Sequence, residues 1–274
     1  MLALRLLTGI PLALAAIWFI LTQNSDSILY ALIVIAAIAG WEWAGLAKAQ
    51  TIAVRIMYGV VLSMTVWSAS QIDQSLLVKL QIFTSVFWLG VVIYLSQVKS
   101  IISQKKLSGI KLLLGVLIVI PAMIAMWMVH RFNAEWLLFG MSLVWVADIG
   151  AYFAGRKFGK NKLALVLSPG KTREGFYGAM LLTLIYSLLA SIFYFDLSTV
   201  EVIQTLIMTF VITIFSVTGD LFESLLKRQA GVKDSGKILP GHGGVLDRVD
   251  SLTATMSIFS VSSIYIYNLD MFLV

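Results

Sequence analysis

The sequence predicts an all-α integral membrane protein with about nine transmembrane helices, its N-terminus cytoplasmic and its C-terminus outside. Three observations carry this. Hydrophobic residues make up 59% of the 274 and charged residues 12%, against roughly 25% charged in an ordinary soluble domain; mean hydropathy is +0.93. Nine apolar segments are each long enough to cross a bilayer core of about 30 Å. Lys and Arg crowd onto alternate connections. A large soluble helical core is excluded, because it would need far more polar surface to stay in solution.

In order, the apolar segments cover roughly 4–22, 28–47, 52–70, 76–96, 112–130, 134–155, 175–195, 202–225 and 251–270. The first, with Arg5 before its apolar run, has the look of a signal peptide. Eight further spans follow it, so an uncleaved helix is the expectation. Nine alternating spans with a cytoplasmic N-terminus place eighteen of the 20 Lys and Arg on the cytoplasmic side, leaving Lys79 and Arg131 outside. Asp26, Asp73, Glu135, Asp196, Glu201 and Asp270 fall at the outer ends. No linker divides the chain and no repeat is evident, so residues 1–274 read as a single polytopic membrane domain. With no cysteine, disulfides, thiolate metal sites and cysteine nucleophiles are excluded. The net charge of +6 suits loops facing an anionic bilayer and anionic substrates, with no nucleic-acid partner expected.

The polar exception runs from Gly219 to Ser251. Ten of the chain's 34 Asp, Glu, Lys and Arg residues fall in these 33 positions. Asp220, Glu223, Ser224 and Lys227 stand at i, i+3, i+4 and i+7, one face of a helix that continues the eighth span. Asp247, Asp250 and Ser251 repeat the i, i+3, i+4 spacing where the ninth begins. The connection between them carries Gly231, Gly236, Pro240, Gly241, Gly243 and Gly244. Glycines let backbone amides approach a phosphate, and neighbouring cations supply the complementary charge. Acids on two helix ends flanking a basic, Gly-rich loop suit a divalent metal and a polyphosphate.

A second constellation spans residues 148–175. Asp148 lies in an apolar span, with Tyr152 and Arg156 following on its face, and an intramembrane carboxylate normally faces a partner or a polar cavity. A basic loop then ends in Ser168-Pro169-Gly170-Lys171-Thr172. Gly-Lys-Thr is the end of a P-loop pattern, but position 165 is Leu where that pattern needs Gly, and no strand is predicted before it. The nucleotide-fold P-loop is rejected.

The order S-x-x-K-R-x-x-x-x-K-D-x-G followed by P-G-H-G-G-x-x-D-R-x-D resembles the signature of phosphatidate cytidylyltransferases, also called CDP-diacylglycerol synthases. It reads here as Ser224, Lys227, Arg228, Lys233, Asp234, Gly236, Pro240 to Gly244, Asp247, Arg248 and Asp250. The D-x-x-A-Y, F-G-K-x-K-L and S-P-x-K-T-x-E-G elements of 148–175 resemble the same family, so the likeness covers about 60 residues in two blocks. It implies transfer of CMP from CTP to phosphatidate, giving CDP-diacylglycerol and pyrophosphate. On that basis Asp220, Asp247, Lys227 and Arg228 are expected to be catalytic. Asp220 and Asp247 would hold Mg²⁺, with Asp250 and Glu223 beside them and room for a second cation. Lys171, Ser224, Lys233, Arg248, His242, the amides of Gly243 and Gly244, and Asp148 would line the substrate pocket. The implied setting is a bacterial inner membrane with the site facing the cytoplasm; a second copy, as a homodimer, is a further candidate partner.

Bland readings stand beside these. Asp220 and Asp247 could instead form buried ion pairs with Lys227 or Arg248. Glu42, between Trp41 and Trp43, reads as an interfacial or structural acid, although the family resemblance leaves it a support role. Lys105 and Lys106 read as snorkelling cations. A CTP-dependent polyprenol kinase would share membrane, metal and nucleotide but move a γ-phosphoryl group. A cation or proton transporter would distribute its acids near the midplane, whereas here they gather at helix ends.

Overall fold

The computed structural model describes residues 2–103, 105–238 and 243–266. Across these the chain forms α1 (Leu2–Thr22), α2 (Ser25–Leu46), α3 (Ile52–Ala69), α4 (Gln74–Gln97), α5 (Gly109–Phe132) and α6 (Ala134–Phe158). A hairpin of β1 (Lys162–Ala164) and β2 (Ser168–Thr172) follows, then α7 (Arg173–Phe193), α8 (Thr199–Ala230) and α9 (Leu246–Ile266). Helices α2 to α9 are each long and apolar enough to cross a membrane, and α1 contributes a shorter apolar stretch, Pro11–Thr22. Each expected span has its helix. The C-terminal residues 267–274 lie outside the described residues.

The helices begin where a short polar side chain satisfies a first-turn amide, which matters most where lipid offers no water as a substitute. Asn24, Thr51, Asp73, Ser108, Asn133, Thr172 and Ser198 each accept a backbone N–H of the helix that follows. Helix α8 ends on Gly231 in the left-handed region, φ 72°.

Helices α5 and α9 form the centre. Nearly every side chain from Ile118 to His130 is buried, as is the run from Ser251 to Ser260. Helix α9 touches α4, α5, α6 and α8, and its composition explains how. Thr253, Thr255, Ser260 and Ser263 turn their hydroxyls back onto carbonyls three or four residues earlier. Their polar groups are thereby satisfied, and small side chains let neighbouring helices approach. The outer faces carry exposed Ile56, Met57, Val60 and Met64 on α3, and Leu181, Leu189 and Phe193 on α7, as a lipid-facing surface requires.

The hairpin corrects the expectation of a basic loop with no strand. Lys162 pairs with Thr172 and Ala164 with Ser168, antiparallel. Glu174, in the first turn of α7, accepts hydrogen bonds from the amides of Lys160 and Asn161 and from Asn161 Nδ2 (3.1, 3.2 and 2.7 Å). The ribbon is thus tied to the helix it precedes.

The connections after α2, α4, α6 and α8 come together at one end of the bundle. Ser108 N donates to Ala47 O at 3.0 Å, Lys48 Nζ donates to Ala230 O, and Lys171 reaches Asp220. That end holds the charge the sequence concentrates in these loops.

Candidate active site

The site is assembled from the C-terminal half of α6, the hairpin, the last turns of α8, the first turns of α9 and the end of α2. Gly219 sets the spacing between α8 and α9: a Cβ there would lie 2.7 Å from Asp250 O and 3.1 Å from Ser251 Cα. Only a glycine lets the two acid-bearing backbones come this close.

On the face of α8 toward α9, the expected spacing holds. Ser224 Oγ donates to Asp220 Oδ1 at 3.3 Å. Lys171, from β2, forms an ion pair with Asp220 Oδ2 at 2.6 Å. Lys227 Nζ lies between two carboxylates, donating to Glu223 Oε2 at 2.9 Å and to Asp247 Oδ1 at 2.7 Å. Asp250 sits among Asp220, Glu223 and Lys227 and interacts electrostatically with all three. The ion-pair reading changes for Asp220, which pairs with neither Lys227 nor Arg248 but with Lys171, from the other sequence block, and holds for Asp247, which pairs with Lys227. Lys227 thus bonds two acids at once.

Asp247 is more deeply engaged than its spacing suggested. Besides Lys227 it accepts the amides of Ser235 (2.9 Å) and Gly244 (2.8 Å) on Oδ2. It therefore ties both Ser235 and Gly244 to the start of α9. The amide of Gly244, expected to face a phosphate, is taken by this contact. Gly243 is in the left-handed region, φ 85°, which turns the chain into α9. His242 lies outside the described residues.

The residue the sequence reading undervalued is Glu42. It is 2% exposed, and its carboxylate accepts Leu246 N (2.7 Å), Val245 N (3.1 Å) and Ser235 Oγ (3.2 Å). A carboxylate from α2 thus caps α9 across some 200 positions of sequence, where it satisfies orphan amides and favours the positive helix end. Gly244 leaves room for it, since a Cβ there would lie 2.5 Å from both carboxylate oxygens. The signal was available: an acid inside an apolar span merits the same suspicion as Asp148.

Asp148 opens onto a cavity of about 370 Å³, lined also by Tyr152, Arg156, Lys171, Thr172 and Phe176. Lys171, Asp220 and Arg248 are the charges that act on it, so the two sequence blocks share one electrostatic site. Arg228, Lys233 and Arg248 are exposed; among the described residues Arg228 makes a long contact with Val232 O, 3.5 Å.

Whether these residues suit a metal can be tested on the acids. Among the described residues no group of three or more His, Asp and Glu is gathered as a ready-made metal cage. Yet Glu223 is 3% exposed and its Oε1 has no hydrogen-bond partner, beside Asp250 and within a helical turn of Asp220. An orphan carboxylate oxygen among hard oxygen donors fits a divalent cation that completes its shell with substrate phosphates, as Mg²⁺ commonly does.

The profile of the cytidylyltransferase family matches residues 3–266. The chain belongs to that family. This cytidylyltransferase-family chain is 35% identical over 269 residues to a phosphatidate cytidylyltransferase of Pseudomonas aeruginosa, a match covering 95% of this chain and 96% of the relative. A Haemophilus influenzae protein of the same name is 50% identical over 129 residues, 45% of this chain and 44% of that one. One from Staphylococcus epidermidis is 45% identical over 127 residues, 46% and 48%. The last two matches span under half of each relative.

Proposed function

We propose that this chain is a phosphatidate cytidylyltransferase, transferring CMP from CTP to phosphatidate to give CDP-diacylglycerol and pyrophosphate. The observation that carries the reading is the Lys171–Asp220 pair. It joins the cavity beside Asp148 to the acid cluster of α8 and α9, at a charged bundle end where a lipid phosphate and a nucleotide can meet.

The chemistry requires an oxygen of the lipid phosphate to attack the α-phosphorus of CTP. A new P–O bond forms as the bond to the β-phosphate oxygen breaks and pyrophosphate leaves. The attacking oxygen is already ionised near neutral pH, so no general base is needed. The main obstacle is repulsion between anions, which positioning and fixed positive charge relieve. Lys171, Arg228, Lys233 and Arg248 supply that charge, and Asp148 orients Lys171 and Arg248. Asp220, Glu223 and Asp250 would hold Mg²⁺, which when bound neutralises polyphosphate charge. Asp247, Lys227 and Glu42 keep the loop and acids in register. Self-association as a homodimer is the further partner of this reading, checked by cross-linking the purified protein.

Incubating purified protein with CTP, phosphatidate and Mg²⁺ is the direct test. Release of pyrophosphate with a CDP-lipid is expected; CDP with no CDP-lipid product would indicate γ-phosphoryl transfer instead. Arg228→Ala and Lys171→Ala should each lower turnover by at least about tenfold, through loss of a charge-assisted contact. Lys105→Ala and Lys106→Ala, equally cationic, should change it little. Similar losses in all four would reduce the basic loops to membrane anchors.

The site is proposed to face the cytoplasm, on the inner membrane of a bacterium. Single cysteines in this cysteine-free chain report it. Gly236 is unsuitable, because a side chain there would collide with Glu42. Val232→Cys, exposed in the α8–α9 connection, should resist impermeant label in intact cells, whereas Gln71→Cys at the opposite end should react. The reverse pattern would invert the orientation.

A further inference from the structure

Helix α8 presents a second surface. At 100° per residue, Phe222, Leu225, Leu226 and Gln229 point away from the face that carries Asp220, Glu223, Ser224 and Lys227. There they line a cavity of about 420 Å³ with α4 and the start of α5, bounded by Phe87, Val91 and Leu114. Its walls are mostly apolar, with Tyr94, Ser108 and Gln229 as neutral polar members and one charged group. Lys111, in the first turn of α5, is 7% exposed, and its ammonium has no hydrogen-bond partner among the described residues.

A buried, unpartnered amine is costly unless something anionic meets it. Among the described residues no acid does so: the charge acting on Lys111 is another cation, Lys48, whose ammonium is tied to Ala230 O at the end of α8. The backbone of Lys111 is fixed on both sides, the amide donating to Ser108 Oγ (3.3 Å) and the carbonyl accepting from Trp43 Nε1 (2.7 Å). The cavity opens laterally past Tyr94 and Ile110, both exposed on the lipid-facing surface. It lies level with the charged loops, the depth at which headgroup phosphates reside.

We infer that this groove binds an anionic phospholipid of the surrounding membrane, its headgroup phosphate on Lys111 and an acyl chain along Phe87, Val91, Leu114 and Phe222. The occupant sits behind α8, on the side opposite the reacting groups. It would brace the helix that carries Asp220 without entering the reaction. A free phosphate ion would satisfy the ammonium and leave the apolar wall bare; a zwitterionic lipid would cover the wall and bring its own cation close to two lysines. The charge and the wall together select the anionic lipid.

The test uses delipidated full-length protein in neutral detergent, titrated separately with phosphatidylglycerol, phosphatidylcholine and inorganic phosphate. Retained lipid is read by native mass spectrometry and stability by the thermal midpoint. Phosphatidylglycerol alone should be retained and raise the midpoint. Lys111→Met should weaken its binding by about tenfold, the worth of one charge-assisted contact. Gly90→Leu is an independent probe, because no atom lies within 4 Å of a Cβ at Gly90 and the larger side chain fills the groove while sparing Lys111. It should weaken binding as well, and it decides the matter if Lys111→Met does not fold. Asp220→Asn, on the opposite face, should bind the lipid as the parent does. Unchanged binding in Gly90→Leu, equal retention of phosphatidylcholine, an equal shift with inorganic phosphate, or loss of binding in Asp220→Asn would each overturn the assignment.

Discussion

Asp220→Asn should lower turnover by at least about a hundredfold, the scale on which enzymes lose rate when a preorganised charge contact to a phosphate or oxyanion is removed. It should do so while leaving the protein folded. Asp220 is the acid with the fewest structural duties: its side chain is 31% exposed, its ion pair is with a similarly exposed lysine, and its bond from Ser224 is long. Half-exposed pairs of this kind contribute little to stability. The measurement is initial rate against CTP, phosphatidate and Mg²⁺, with the thermal midpoint taken on the same samples. Near-normal rate at ordinary Mg²⁺ would remove Asp220 from the reacting groups.

Asp247→Asn serves as the contrast. From the spacing alone Asp220 and Asp247 look equivalent, one acid at each helix end. In the structure Asp247 is nearly buried and accepts Lys227 and two loop amides. An asparagine keeps one carbonyl oxygen and places an NH₂ against donors, leaving a buried donor unmet at about 1–3 kcal/mol. Turnover and thermal midpoint should therefore fall together. A variant that lost rate with an unchanged midpoint would return Asp247 to the role of a direct ligand.

These two acids show what the sequence could and could not display. The nine helices of the described residues were legible because lipid imposes length and apolarity on each span, and nearly every boundary agrees within a few residues. The largest discrepancies are at the site. Helix α9 starts at Leu246 where the apolar pattern placed its start near 251, and α8 runs to Ala230 where the pattern stopped near 225. In both cases charged turns extend the helix beyond the apolar pattern, as the i, i+3, i+4 spacing of the acids suggested. They are helical because partners distant in sequence satisfy them: Glu42 caps α9, and Lys227 bridges α8 to Asp247. The hairpin was equally hidden. Three and five residues without alternation give no strand signal, and Glu174 and its helix supply the support. Charge composition marked both blocks of the site, while the pairing of Lys171 with Asp220 depends on the packing of α7 and α8.

Glu42 offers the sharpest test of that distant support. Glu42→Ala should cut turnover by about a hundredfold or more although, among the described residues, Glu42 bonds only the loop and the start of α9. Its removal strands the amides of Val245 and Leu246 and the Ser235 hydroxyl, each unmet buried group costing about 1–3 kcal/mol. The loop should lift, carrying Asp247 and with it Lys227. Glu42→Gln should recover only part of the loss, because one carbonyl oxygen can serve Leu246 while the amide nitrogen faces Val245 donor to donor. A positioning role has a readout that chemistry alone lacks. Lys233 and Lys237 lie in the connection Glu42 pins down, so limited trypsin digestion of the purified protein should cut there faster in Glu42→Ala than in the parent, with Glu42→Gln between. Asp220→Asn should digest as the parent does. Lost turnover with an unchanged digestion pattern would make Glu42 a participant in the reaction; unchanged turnover with a looser loop would show that the cap serves folding alone.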